Sequence, residues 1–189
     1  MVIFHLLIPA LWLVLAGYWG AAALRAKRTV SRQVGGDNAL RLGIIVLTVL
    51  ALRVPALHHS LLEGQRYETR SALMGAVGLA LVALGIALAI WARVHLGRNW
   101  GMPMARKETP ELVTTGPYAI VRHPIYAGIL LALLGSAVGE SPFWGLPLIL
   151  FSGYFVYSAR REEKVMIELF PTQYPEYMKR TKMLLPFLL

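Results

Sequence analysis

The sequence predicts an all-α integral membrane protein of about five transmembrane helices, the last two in a tight hairpin, followed by a cytoplasmic helical tail. Three observations carry this. Of 189 residues 57% are hydrophobic and 15% charged, against about 25% charged in an ordinary soluble domain. The shortfall comes from long uncharged runs near the roughly 20 apolar residues that a spanning helix needs. No region is strand-rich, and no G-x-G-x-x-G follows a strand.

Met1 to Leu24 is the first span. Leu42 to Leu57 is shorter, interrupted by Arg53 and Pro55. Ser71 to Trp91 is uncharged and rich in Ala, Leu and Gly. Ile125 to Gly139 and Phe143 to Ser158 are separated only by Glu140-Ser141-Pro142, hence the hairpin. A signal peptide is the alternative for the first span, with Ala21 and Ala23 as small residues, but it lacks a basic start and its apolar run is too long. The chain divides into three amino-terminal spans over residues 1–95 and a region over 96–189 holding a loop, the hairpin and the tail.

Basic residues set the orientation. Arg25, Lys27, Arg28, Arg32 and Arg41 follow span one; Arg98, Arg106, Lys107 and Arg122 precede span four; Arg160, Arg161, Lys164, Lys179, Arg180 and Lys182 follow span five. The other side has Arg66 and Arg70. The positive-inside rule puts the amino terminus outside and the carboxyl terminus in the cytoplasm. The net charge of +9 then fits topology and anionic lipids as partners. Nucleic acid is not expected, because the basic residues follow the loops and form no continuous face. The chain has no cysteine, which excludes disulfides, thiolate metal sites, thiol nucleophiles and cysteine lipidation.

Smaller features read blandly. Gly35-Gly36-Asp37-Asn38 is a turn signal. Arg53 lies close enough to the outer end of its span to snorkel. His58 and His59 lack a third ligand nearby in sequence, so no metal site is expected. His5 has no evident role. Trp91, Trp100, Trp144, Tyr154 and Tyr157 suit an aromatic belt. Gly75, Gly78 and Gly85 have the spacing that lets another helix approach; generic membrane-helix composition explains them equally well, and the oligomeric state stays open.

Two cytoplasmic segments hold polar residues that an anchor does not need. One runs from Tyr118 to Tyr126; the other starts Arg160-Arg161-Glu162-Glu163-Lys164 and continues helically through Glu168 until Pro171. Pro124 is tolerated in a first helical turn and biases His123 toward extended geometry. Arg122 and His123 thus precede the amino end of span four, where unpaired N–H groups and partial positive charge suit a carboxylate or phosphate. Tyr126 faces the same mouth. Glu162 and Glu163 supply the opposite sign, so the site suits a zwitterion such as an amino acid moiety. The alternative is a structural salt-bridge cluster in which Arg122 and Arg161 pair with Glu162 and Glu163.

The run Gly116-Pro117-Tyr118, Arg122-His123-Pro124, Tyr126 and Gly128 resembles the signature of the isoprenylcysteine carboxyl methyltransferase family, within the wider group that includes phospholipid N-methyltransferases. Its second half is present in Glu162-Glu163, Phe170, Tyr174, Tyr177, Lys179-Arg180 and Pro186-Phe187. Leu96-Gly97-Arg98-Asn99-Trp100 resembles the segment that precedes it in bacterial members. The likeness covers Leu112 to Leu189; spans one and two match only in hydrophobicity. Pro171 departs from the glycine that many members carry there.

The resemblance implies an integral membrane enzyme using S-adenosylmethionine, with the cofactor pocket at the cytoplasmic ends of the last two spans and the tail. It implies that Tyr118, His123, Tyr126, Gly128, Glu162 and Glu163 line or shape the pocket, and that Arg122 and Glu163 are the positions most sensitive in catalysis. A sulfonium methyl is already activated, so the enzyme aligns a nucleophile and excludes water. A carboxylate acceptor is ionised at pH 7 and needs a cation, for which Arg122 offers a fork of donors. An amine acceptor needs a base, for which a glutamate serves. The acceptor is expected to be lipophilic and to enter from the bilayer. Competing classes are an NADPH-dependent lipid reductase, usually larger, and a non-enzymatic transport subunit, disfavoured by the scarcity of mid-span charge.

Overall fold

The computed structural model describes residues 2–23, 29–31, 43, 71–97, 106–107 and 111–185. Among these residues the helices are α1 (Val2–Ala23), α2 (Ala72–Leu96), α3 (Pro124–Gly139), α4 (Gly145–Leu169) and α5 (Gln173–Arg180). Two short antiparallel strands, β1 (Thr29–Ser31) and β2 (Arg106–Lys107), depart from the purely helical expectation. The predicted second span, with Arg53, His58 and His59, and the turn at 35–38 lie outside the described residues, as do Trp100 and Pro186-Phe187.

Two helices, Ile3–Ala22 within α1 and Ala72–Leu96, are long and apolar enough to cross a membrane. Ser71 starts α2 by accepting a hydrogen bond from the Met74 amide at 3.3 Å, the usual serine N-cap. Gly97, at φ 56°, ends it by returning its amide to the Arg93 and Val94 carbonyls. α3 is shorter, at 16 residues. α4 differs from expectation in extent: it runs 25 residues without a break, joining the predicted fifth span to the charged segment beyond it. No helix breaker lies between Ser158 and Glu168, and Pro147 falls in the first turn, where no helical hydrogen bond is lost. The helix stops at Leu169, just ahead of Phe170-Pro171.

α2 and α3 run antiparallel with their backbones in contact. A Cβ on Gly85 would stand 2.5 Å from the Gly128 carbonyl oxygen, and one on Gly128 would stand 2.6 Å from the Gly85 oxygen. Two turns away, a Cβ on Gly135 would meet the Val82 amide nitrogen at 2.6 Å. The small-residue stripe of α2 is therefore spent inside the chain: Gly78 and Gly85 admit α3, and Gly75 admits the Phe4 ring of α1.

α1 lies against this pair through Ile8 and Leu15, which join Val82, Ile86, Ala89 and Ala132 in one buried cluster. Trp12 donates from Nε1 to Ser136 Oγ at 3.0 Å, and its ring stacks on Trp144 at 5.9 Å. Trp144 thus packs internally, beyond the interfacial role expected of it. Leu6, Leu13, Leu84 and Ile149 are exposed, as on a surface that a bilayer covers.

Sequence reading overlooked Arg93, which is buried at 5% exposure. Its guanidinium donates to the Ala22 carbonyl at 3.1 Å and to the Gly97 carbonyl at 2.7 Å. It thereby satisfies terminal carbonyls of both α1 and α2, groups a helix cannot pair internally. An arginine in the last turn of an otherwise uncharged helix was the available signal.

Candidate active site

The site begins at the turn before α3. Gly116, at φ 60°, opens a 3₁₀ turn over Gly116–Ala119. A Cβ there would stand 2.7 Å from the His95 ring, so both the angle and the space require glycine. His95 Nε2 lies 2.8 Å from Thr115 Oγ1, fixing the turn to the end of α2. Tyr118 is buried, and its carbonyl accepts the Tyr177 hydroxyl of α5 at 2.5 Å.

The chain after α5 then runs beside this segment. Val121 and Lys182 form a parallel bridge. The Arg122 amide donates to the Lys182 carbonyl at 2.8 Å, and the His123 amide to the Met183 carbonyl at 3.0 Å. His123 caps α3 with φ −124° and ψ 61°. That is outside the helical region, which the following proline disfavours.

Arg122, His123, Tyr126, Ser158, Glu162 and Glu163 converge where α3 meets the far half of α4. Arg122 Nε donates to Glu163 Oε1 at 2.6 Å, with both side chains 8% exposed. The same guanidinium donates to the Thr181 carbonyl and reaches the Met178 carbonyl at 3.5 Å, closing the end of α5. His123 sits between the carboxylates, Nδ1 3.6 Å from Glu162 Oε2 and Nε2 3.3 Å from Glu163 Oε1. The second contact is close but off hydrogen-bond geometry, so His123 Nε2 is buried without a hydrogen-bond partner among the described residues. Tyr126 donates its hydroxyl to Glu162 Oε1 at 2.5 Å, and Ser158 donates to the same oxygen at 3.1 Å. The rings of His123, Tyr126 and Phe155 form a parallel stack, with centroids 5.6 and 4.3 Å apart.

Charge follows from this geometry. Burial alone raises the Glu163 carboxyl, but His123 and Arg122 outweigh it and hold Glu163 below the usual carboxylate range. Burial alone lowers the His123 imidazole, but Glu162 and Glu163 outweigh it and raise His123 above its ordinary value. Burial pushes Tyr118 and Tyr174 up, and Tyr177 up to about 12, so these hydroxyls stay neutral.

The fold brings Tyr118, Arg122, His123, Tyr126, Glu162 and Glu163 into one neighbourhood. Gly128 lies elsewhere on α3, against Gly85 and Ala89 of α2, where its contacts are those of helix packing. Arg122 and Glu163, expected on facing walls, bind each other directly. Arg161 donates to the Tyr157 hydroxyl at 2.8 Å and lies over that ring. Ser158 and Thr181 were missed. Ser158 stands one turn before Glu162, a spacing that puts both on one helix face; Thr181 acts through its carbonyl, for which a sequence holds no signal. Among the described residues no group of His, Cys, Asp and Glu is arranged to hold a metal ion.

The chain is similar to protein-S-isoprenylcysteine O-methyltransferase B of Arabidopsis thaliana, 32% identical over 58% of this chain and 58% of that protein. It is 31% identical to the cobalt-zinc-cadmium resistance protein CzcN of Cupriavidus metallidurans, over 57% of this chain and 49% of that one. A solved structure of the eukaryotic intramembrane Ras methyltransferase, isoprenylcysteine carboxyl methyltransferase, is similar at TM-score 0.48 and 21% identity, over 84% of this chain and 55% of that chain. The chain spans about half the length of the curated relatives it matches. The family model for phospholipid methyltransferase matches residues 73–173, more than half of the sequence, and takes in Tyr118, Arg122, His123, Tyr126, Glu162 and Glu163: the chain belongs to the phospholipid methyltransferase family.

Proposed function

We propose that this protein is an integral membrane methyltransferase that moves the methyl group of S-adenosylmethionine to a lipophilic acceptor, a carboxylate of isoprenylcysteine type. One observation carries the reading: α4 presents two carboxylates, Glu162 and Glu163, to His123 and Tyr126 at the mouth of α3, inside the matched region. The curated relatives include O-methyltransferases of isoprenylcysteine.

These residues fit the cofactor. It carries a sulfonium and an ammonium, both cationic, and carboxylates are their natural partners. Glu162 keeps 23% of its side chain exposed, so it is the carboxylate open to a ligand. Glu163 is committed to Arg122. His123 Nε2, buried without a hydrogen bond, supplies a further polar contact. The cofactor brings an activated methyl group; the chain contributes alignment and exclusion of water. Tyr126 and Ser158 hold the Glu162 carboxylate in one orientation. Arg122, engaged through Nε by Glu163 and through Nη1 by the Thr181 and Met178 carbonyls, is a positioning residue that locks the segment after α5 against the site. Tyr118 and Tyr177 tie the same segment down from the other side.

The same reading places five spans in the bilayer, with residues 1–95 as an anchor and 96–189 as the catalytic region. The amino terminus lies outside, and the site and carboxyl terminus lie in the cytoplasm near anionic headgroups. Calorimetric titration of detergent-purified protein with S-adenosylhomocysteine tests the cofactor class. Saturable binding, weakened in Glu162→Gln, supports it, and absence of binding in folded protein refutes it. Glu162→Gln is the sharper variant, because Glu163→Ala strands Arg122 and disturbs the fold. Methyl transfer to a farnesylated cysteine carboxylate, and little to a water-soluble analogue, tests the acceptor.

A further inference from the structure

The converging side chains do not balance in charge. Arg122 brings one positive charge, Glu162 and Glu163 two negative ones, and Tyr118, Tyr126, Tyr174 and Tyr177 none. Among the described residues the groups facing His123 are Arg122 beside it, Tyr126 stacked on its ring, the two glutamates and Ser158 from α4, the tyrosines of α5, and the Met183 carbonyl after it; Arg93 of α2 acts on Tyr118, and His95 of α2 is engaged with Thr115. One negative charge is left over, in a place with little water, and such a charge is strongly disfavoured. His123 is the group that can cancel it. Its side chain is 10% exposed and lies within 3.6 Å of both carboxylates.

Resting on the methyltransferase reading, we propose that His123 is the charge balance of the site and the residue that distinguishes sulfonium cofactor from thioether product: it holds a proton when the site contains no extra cation and releases it when a sulfonium enters. On transfer the C–S bonding pair stays on sulfur, the acceptor oxygen supplies the pair for the new O–C bond, and the sulfonium becomes a neutral thioether. The acceptor carboxylate becomes a neutral ester in the same step, so transfer itself leaves the net charge unchanged. The difference lies between the two complexes without acceptor: once the ester has left, the thioether complex lacks the cation and His123 holds a proton taken from water. Proton uptake then favours the product complex over rebinding of cofactor, and the two ligands differ in their preferred pH although they differ by one methyl group.

The test is titration of the full chain in detergent, without acceptor, using S-adenosylmethionine and S-adenosylhomocysteine in buffers of different ionisation enthalpy near pH 6.5. The sulfonium ligand should release about one more proton than the thioether. Protonation of the shared amino acid moiety cancels in that difference. The affinity ratio of sulfonium to thioether should rise about tenfold per pH unit below the titration of His123 and level off above it. Both effects should vanish in His123→Gln, whose negative charge is permanent, and in Glu162→Gln, whose site is already balanced. Should either variant fail to fold, the wild-type proton counts and pH dependence decide alone. Equal proton release for both ligands, or a ratio indifferent to pH, overturns this proposal and leaves the methyltransferase reading standing. Binding of neither ligand overturns both.

Discussion

The two faces of α3 pack by opposite means. Toward α2 the helix presents glycine, and backbone meets backbone with no room for a methyl group at Gly85 or Gly128. Toward α4 it presents Tyr126, Ile129 and Leu130, which fill the space up to Tyr154 and Phe155. One contact is rigid because nothing in it can rotate. The other is made of side chains, so it can carry hydrogen bonds, charge and a ligand. The first fixes where α3 begins; the second uses that position, because the residues at its mouth are the ones facing Glu162 and Glu163.

The largest effect is expected at the rigid face. Gly85→Leu or Gly128→Leu puts a side chain into opposing backbone, which cannot yield as a side chain can. Ordinary overpacking is destabilising by about 1–3 kcal/mol; here the expected outcome is loss of monodisperse protein on size-exclusion chromatography. Gly153 of α4 is the control, since a Cβ there meets nothing within 4 Å. Gly153→Leu should leave the melting temperature nearly unchanged. Equal tolerance at Gly85 and Gly153 would mean the two faces do not differ as described.

Next comes the buried ion pair. Arg122→Ala leaves buried Glu163 with His123 as its remaining cationic neighbour, a loss approaching the roughly 3–5 kcal/mol of a broken buried pair, read as a fall in melting temperature in detergent. Replacing both, as Arg122→Met with Glu163→Leu, should recover much of that stability, because no charge is stranded. It should not recover binding of S-adenosylhomocysteine, since the segment after α5 loses its anchor at Thr181.

Stability against pH gives a smaller, signed effect. Glu163 is held low by His123 and Arg122, so its contribution is complete above the ordinary carboxylate range and fades as pH falls through its lowered value. His123 is held high by the two glutamates, so its contribution is complete below its ordinary value and fades as pH rises through the raised one. The ligand-free protein should therefore melt highest between about pH 4.3 and 6.5, with a decline on each side. His123→Gln should flatten the alkaline decline and leave most of the acid one.

Much of the side-chain face was legible in the sequence, and the backbone face was not. Arg122-His123-Pro124 and Glu162-Glu163 are polar residues beside apolar runs, so they stood out by cost. Their convergence followed from two helices joined by a short turn. The sequence did not say that Arg122 and Glu163 hold each other, because a pair and a pair of ligand clamps have the same composition. It also left the glycines ambiguous: a stripe that fits α3 and a stripe that fits another copy read alike. Gly128 was assigned to the pocket by resemblance, yet it meets Gly85. Arg93 escaped notice because its partners, Ala22 and Gly97, are carbonyls, and every residue has one.

The smallest expected effects separate the two faces most cleanly. Trp12→Phe removes one hydrogen bond to Ser136 and shrinks the ring that stacks on Trp144, in the packed region of α1, α2 and α3. Ser136 still donates to the Ala132 carbonyl, so the hydrogen bond accounts for about 1 kcal/mol and the smaller ring adds to it, seen as a drop in melting temperature with ligand binding unchanged. Tyr126→Phe also removes one hydroxyl, the one that holds Glu162 Oε1. The ring stack with His123 and Phe155 survives, and Ser158 still donates to the carboxylate, so stability should fall by about 1 kcal/mol. Glu162, however, is released from the orientation in which it meets a cation, and affinity for S-adenosylhomocysteine should fall severalfold. Two variants that both lose stability but split in binding would locate function on the α4 face. Equal binding in both would mean the Glu162 carboxylate is not the ligand contact.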